Sequence, residues 1–388
     1  QSCQATPGQE IKEPFVIPVE VGLIGDAGGL PLKLEGVESD LEVEDNTRMV
    51  LEVTEREQCF TFTGLAEHPV PSLLRGFSAP VKLRFPYSRD DLSVLMSRDD
   101  DGFCRWDACQ QLAVAAILES QSAPNAAATT LIESFSRVLS DASLDPAFVA
   151  EMLRLPSVNY LVELQEQADV GAIYRARERV RLELGRALQP VLLERYHQTA
   201  VEAEYQATAE QIAARSLRNT CLAYLASDSR AGVDLALNQY QNANNMTDQY
   251  AALSAIVFNG DEELSGKVLT AFYEQWQHEA LVVNQWFQVQ AVNPRPGAIG
   301  RVQDLMEHKD FTMANPNRMR SVVAAFCSAN PLHFHAEDGS GYSLLGAIVG
   351  ELDGKNPQIA ARMLTPLTRW RRFSQGQEKM RGVLQSLS

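Results

Sequence analysis

The chain has 388 residues, 45% of them hydrophobic and 22% charged, with a formal net charge of -16 at pH 7. That length exceeds one compact domain and predicts two. The acidity argues against general binding to nucleic acid or to anionic membranes, both polyanionic, and no apolar run approaches the roughly 18 residues of a membrane-spanning helix.

Gln1 opens a polar stretch, which predicts no signal peptide, and the missing initial Met predicts a fragment or a processed chain. Residues 1–88 carry strand patterns. "EPFVIPVEVGLI" is apolar and alternating, "GDAGG" (Gly25–Gly29) is a turn, and "LPLKL" resumes alternation. "RMVLEVTE" and "QCFTFTGL" read as two more strands, the second with Phe60 and Phe62 on one face, and "APVKLRFPYS" closes the set. Short strands between turns and prolines predict a small β-sandwich over 1–88.

From Ser88 onward the period becomes helical. "SRDD" (Ser88–Asp91) is a capping box. "DPAFVAEML" sets Asp145 as N-cap with Pro146 in the first turn, and "NPQIAARML" does the same with Asn356 and Pro357. More than a dozen amphipathic segments follow with short loops and no returning β pattern. The expected fold is therefore multidomain and mainly α: the sandwich, then an α-superhelical, solenoid-like (armadillo- or HEAT-like) domain over 89–388.

Chemistry-bearing motifs are scarce. The six cysteines, at 3, 59, 104, 109, 221 and 327, are scattered, mostly among apolar neighbours, and read as buried free thiols in a reducing compartment. The lone His-Glu pair, His278–Glu279, has Val282 where a zinc helix needs its second His. In "HFHAED", His333 and His335 with Glu337 or Asp338 could ligate a metal only from extended chain, so hydrogen bonding within a loop is the preferred reading. "DGSGY" (Asp338–Tyr342) lacks a P-loop ending and predicts a turn into a helix; the acids of "RDDDGF" (Arg98–Phe103) suit a helix start. "TRWRRF" (Thr368–Phe373) mixes arginines with aromatics, read as partly buried Trp370 and Phe373 with solvated arginines. On "RMRSVVAAF", Met319, Val322, Val323 and Phe326 form an apolar stripe flanked by Arg318 and Arg320; Arg362 flanks the stripe of Ile359, Met363 and Leu367. Flanking arginines reach solvent or, with a planar fork of donors, bind carboxylates.

Several stretches together resemble the C-terminal half of the aminopeptidase N family of gluzincin zinc peptidases: "QATPGQEIKEPFVIPVEVGL", "PVPSLLRGFSAPVKL", "FCRWDACQQL", "RSLRNTCLAYLA", "NANNMTDQYAALSA", "FTMANPNRMRSVVAAF", "FHAEDGSGY" and "NPQIAARMLTPLTRWRRF". The resemblance implies a non-catalytic region of a cytoplasmic enzyme that releases N-terminal residues from peptides. The family's His-Glu-x-x-His zinc motif does not occur here, so the resemblance places zinc in a catalytic domain of the same polypeptide and leaves this piece without cofactor or catalytic residue, inactive alone. That domain and peptide substrates are the implied partners, with no nucleic acid and no membrane insertion. The helical domain would enclose the active-site chamber, and Arg320 and Arg362, with Arg318 as a further candidate, would face it and attract the peptide C-terminal carboxylate or shape the entrance. The rival reading is a stand-alone helical-repeat scaffold for protein partners.

Overall fold

A computed structural model describes residues 1–36, 46–124, 126, 128–201 and 203–387. The fold is a small antiparallel sheet followed by a mainly helical region. Two compact units are formed, one by Gln1–Ala115 with Thr129–Asp141, the other by Ala116–Ala128 with Ala142–Ser388, so that the helix Gly102–Ser122 contributes to both.

In the first unit, β1 (Ile17–Gly25) is the central strand. It pairs antiparallel with β2 (Gly28–Gly29), with β3 (Arg48–Val53) from Ile17↔Val53 to Gly22↔Arg48, and with β4 (Val70–Leu73) from Val21↔Leu73 to Ile24↔Val70. One face of β1, carrying Val21 and Leu23, packs with Leu32 and Leu51 under Phe60, Phe62 and Leu65. The segment bearing Phe62 meets Leu34 in an isolated antiparallel bridge, held by Glu35 N–H to Thr61 O (2.9 Å) and Thr63 N–H to Lys33 O (2.9 Å). The expected strands at 30–34 and 58–65 thus shrink to this bridge, although Phe60 and Phe62 do share the core face. The strand expected in "APVKLRFPYS" does not form; Pro80 and Pro86 lack the N–H a ladder needs, and the sheet instead takes Val70–Leu73.

The helices begin where local chemistry starts them. Ser88 and Asp91 form the reciprocal capping box of the helix Arg89–Arg98. Asp145 Oδ1 accepts from the Ala147 and Phe148 amides, and Asn356 Oδ1 accepts from Ile359 N–H. Along the second unit helices follow one another with short links, each burying an apolar stripe: Val180 and Leu184 on Val170–Ala187, Leu217 and Leu222 on Ala209–Leu225, Leu253 and Ile256 on Met246–Asn259. All six cysteines are free; Cys104, Cys109, Cys221 and Cys327 are buried as expected, whereas Cys3 and Cys59 are exposed because their segments are polar and irregular. No helix among the described residues is long and apolar enough to cross a membrane.

Candidate functional site

The three arginines singled out by the sequence have different surroundings. Pro316–Met319 starts a helix that widens into a π turn over Arg320–Ala324 and returns to α over Ala325–Ala329. Met319, Val322, Val323 and Phe326 point into the core, as their stripe required. Arg318 lies on the buried side, only 8% exposed. Its Nε donates to Asp310 O (2.9 Å), and its Nη1 to Ala280 O (3.1 Å) and Asn284 Oδ1 (2.6 Å), with the guanidinium 5.4 Å from the centre of the Phe287 ring. Burial pulls its pKa below the usual arginine value. Arg320 is exposed; its Nη1 makes one long bond to Asn317 Oδ1, 3.4 Å.

Arg362 is also exposed and lines a cavity of about 340 Å³. Arg369 and Arg372 join it there, with Glu163, His335 and Phe373. Neither Arg318 nor Arg320 borders this cavity, although Ala324, Cys327 and Ser328 of their helix do. The wall is stitched by backbone: Ala168 N–H donates to Arg372 O (2.8 Å) and Ser374 N–H to Ala168 O (2.9 Å). Arg369 Nη1 reaches Glu163 Oε1 at 3.2 Å. The cavity therefore offers three guanidinium groups against one described carboxylate, a surface suited to a small anionic or carboxylate-bearing ligand. Trp370, carrying Arg371 4.8 Å over its ring, is half-buried and Phe373 is buried, as read from "TRWRRF".

His335 closes one side. Its Nδ1 lies 2.9 Å from the Tyr342 hydroxyl and its ring centre 4.5 Å from that of Phe373. Burial lowers its pKa to about 4 and lifts that of Tyr342 to about 12. His333 takes another direction, donating from Nε2 to Pro294 O at 2.7 Å. The two histidines are thus held by separate partners. Asp338 caps the turn into the helix Ser340–Asp353 by accepting from Ser340 N–H. Exposed His278 and Glu279 mark the turn before the helix Ala280–Ala291. Among the described residues, no three His, Cys, Asp or Glu side chains are arranged to hold a metal ion.

Comparison with known proteins fits this architecture. A family model described as a domain of unknown function with ARM repeats, DUF3458_C, matches residues 89–388. The chain belongs to the DUF3458_C family. A companion DUF3458 model, described as an Ig-like fold, matches residues 1–86 ahead of the DUF3458_C region. Aminopeptidase N of Escherichia coli is 39% identical over 395 residues, covering 100% of this DUF3458_C chain and 44% of that protein. Aminopeptidase N of Haemophilus influenzae is 36% identical with the same coverages, and that of Caulobacter vibrioides is 36% identical over 86% of this chain and 39% of its own length. A solved structure, Legionella pneumophila aminopeptidase A in complex with aspartic acid, superposes with a TM-score of 0.82 at 28% identity, over 96% of this chain and 43% of that one. The chain thus spans less than half the length of the relatives it matches.

Proposed function

We propose that this chain is the non-catalytic, C-terminal region of a cytoplasmic, zinc-dependent aminopeptidase that removes N-terminal residues from peptides, with its domains dividing at 88/89. The observation that carries the reading is similarity to aminopeptidase N at 39% identity over the whole of this chain, which matches 44% of that protein's length. Zinc is assigned to the part of the longer polypeptide outside this chain. That part is the first partner, and peptides are the substrates reached through it.

In this reading the helical region walls the active-site chamber and governs which peptides enter. Arg320 and Arg362 are free of carboxylate partners among the described residues and exposed, so they can attract a peptide carboxylate. Arg318, held by three fixed acceptors, keeps the turn on which Arg320 stands. The test is kinetic, in the full-length enzyme: Arg320→Ala and Arg362→Ala should flatten the dependence of kcat/KM on peptide length while sparing a small alanyl chromogenic substrate. An unchanged length profile removes the access role. Turnover of the alanyl substrate by the 388-residue chain alone, with stoichiometric zinc, overturns the non-catalytic assignment.

A further inference from the structure

The helical unit contains a second, larger groove of about 840 Å³ that shares no lining residue with the Arg362 cavity. It runs along Val170–Ala187, Ala209–Leu225 and Met246–Asn259, and its volume suits several residues of an extended peptide. The chain carries a net charge of -16, yet this groove is basic: Arg154, Arg177, Arg181 and Arg215 line it, and no described Asp or Glu does.

Among the described residues, Arg177, Arg181 and Arg215 outnumber the carboxylates bonded to them. Arg177 and Arg181 divide a single carboxylate, Arg177 Nη1 lying 3.0 Å from Glu178 Oε1 and Arg181 Nη2 2.7 Å from Glu178 Oε2. Arg154 is exposed at the rim, 3.3 Å from Glu151. Arg215 is the decisive group. It is only 4% exposed, and its hydrogen bonds go to neutral acceptors, Gln211 Oε1 at 3.0 Å and Gln206 O at 3.3 Å. Its guanidinium sits 4.9 Å over the Tyr205 ring, which fixes the plane of the fork. A buried cation whose described hydrogen bonds all go to neutral acceptors is unfavourable, and a carboxylate arriving in the groove would relieve it. Buried Asp248 accepts from Asn219 (2.9 Å) and Asn245 (2.9 Å) and makes no described bond to Arg215. Tyr205 and Ile212, about half exposed, add apolar contact.

We propose that this groove binds acidic peptide segments through their Asp and Glu side-chain carboxylates, with Arg215 as anchor and Arg181 and Arg154 as rim. The proposal rests on the peptidase reading for the nature of its ligand. A polynucleotide fits less well: its charge extends beyond the groove over an acidic protein, and Tyr205 is its one markedly exposed aromatic. A short acidic peptide places its charge only where the arginines are.

The experiment measures fluorescence anisotropy of labelled hexaglutamate, acetylated and C-terminally amidated, with the full chain at low salt. The expected result is saturable binding that weakens with salt, with no binding of the matching hexaglutamine amide. Arg215→Gln should weaken binding by about tenfold or more. Because Arg215 is buried, the more accessible pair Arg154→Gln with Arg181→Gln, exposed and half-buried respectively, is measured beside it and should also cost about tenfold. Equal binding of hexaglutamine amide, or no loss in the rim pair, overturns the proposal. So does hexaglutamine with a free C-terminus binding as well as hexaglutamate, which moves recognition to the terminal carboxylate. Tighter binding of oligothymidylate assigns the groove to nucleic acid and also overturns it. The assay involves no turnover, so its failure is separable from failure of the length-dependence test above.

Discussion

Arg75 and Asp99 form a buried ion pair, Nη1 to Oδ1 at 3.1 Å, with side chains 4% and 0% exposed. Arg75 also pairs with Asp100 and lies across β1 where Gly22 leaves room; a Cβ at Gly22 would stand 2.4 Å from Arg75 Nη1. The chain reaches this arginine through left-handed backbone at Leu74 (φ 60°), and Gly76 N–H donates to Asp101 Oδ2 at 2.9 Å. Burial pushes the Asp99 carboxyl above its ordinary pKa even with Arg75 beside it. Arg75→Ala should therefore destabilise the first unit by about 3–5 kcal/mol, because it strands a buried carboxylate. Arg75→Met with Asp99→Leu should lose markedly less. Urea-unfolding midpoints of the two variants decide the point; equal losses would refute the pair as the cause.

Arg318 and Arg362 should separate stability from access. Arg318→Ala leaves the Asp310 and Ala280 carbonyls and Asn284 without their donor, and about 3 kcal/mol of stability should go with it. Arg320→Ala and Arg362→Ala, both at exposed positions, should stay within about 0.5 kcal/mol of the parent chain. Thermal unfolding of the three variants provides the comparison.

His335 should give stability a dependence on acid. Its folded pKa of about 4 lies below the unfolded value of 6.5, so the unfolded chain binds more protons between those values. The neutral ring's contribution is full above pH 6.5, falls as pH drops through that window, and is lost near pH 4, an amplitude of about 3 kcal/mol. His335→Gln should flatten this part of the stability–pH curve relative to the parent. Parallel curves would show that other groups set the slope.

Gly232 marks a close helix approach. A Cβ there would stand 1.9 Å from Leu225 O and 2.8 Å from Ala226 Cα, both backbone atoms that cannot swing away. Gly232→Ala should cost about 3 kcal/mol by forcing the helix Arg230–Asn242 off its neighbour. A melting temperature unchanged by the substitution would contradict the packing described.

What the sequence determined by itself is local. Ser88, Asp145 and Asn356 announce helix starts because a cap bonds to amides two or three residues on, and the stripe of Met319, Val322, Val323 and Phe326 fixes a buried face by period alone. The strand at Val70–Leu73, within a stretch that the family resemblance alone marked as strand, was not legible from periodicity, since its pairing with Val21–Ile24 is a contact across some fifty residues that no short pattern encodes. Arg318 and Arg320 flank one stripe equally, and only the remote carbonyls of Ala280 and Asp310 make the first a structural group and leave the second in solvent. The basic groove is likewise tertiary: Arg177 and Arg181 stand on one helix and Arg215 on another, and the packing of the two brings their charges together, whereas along the chain each is merely one more arginine on a polar flank.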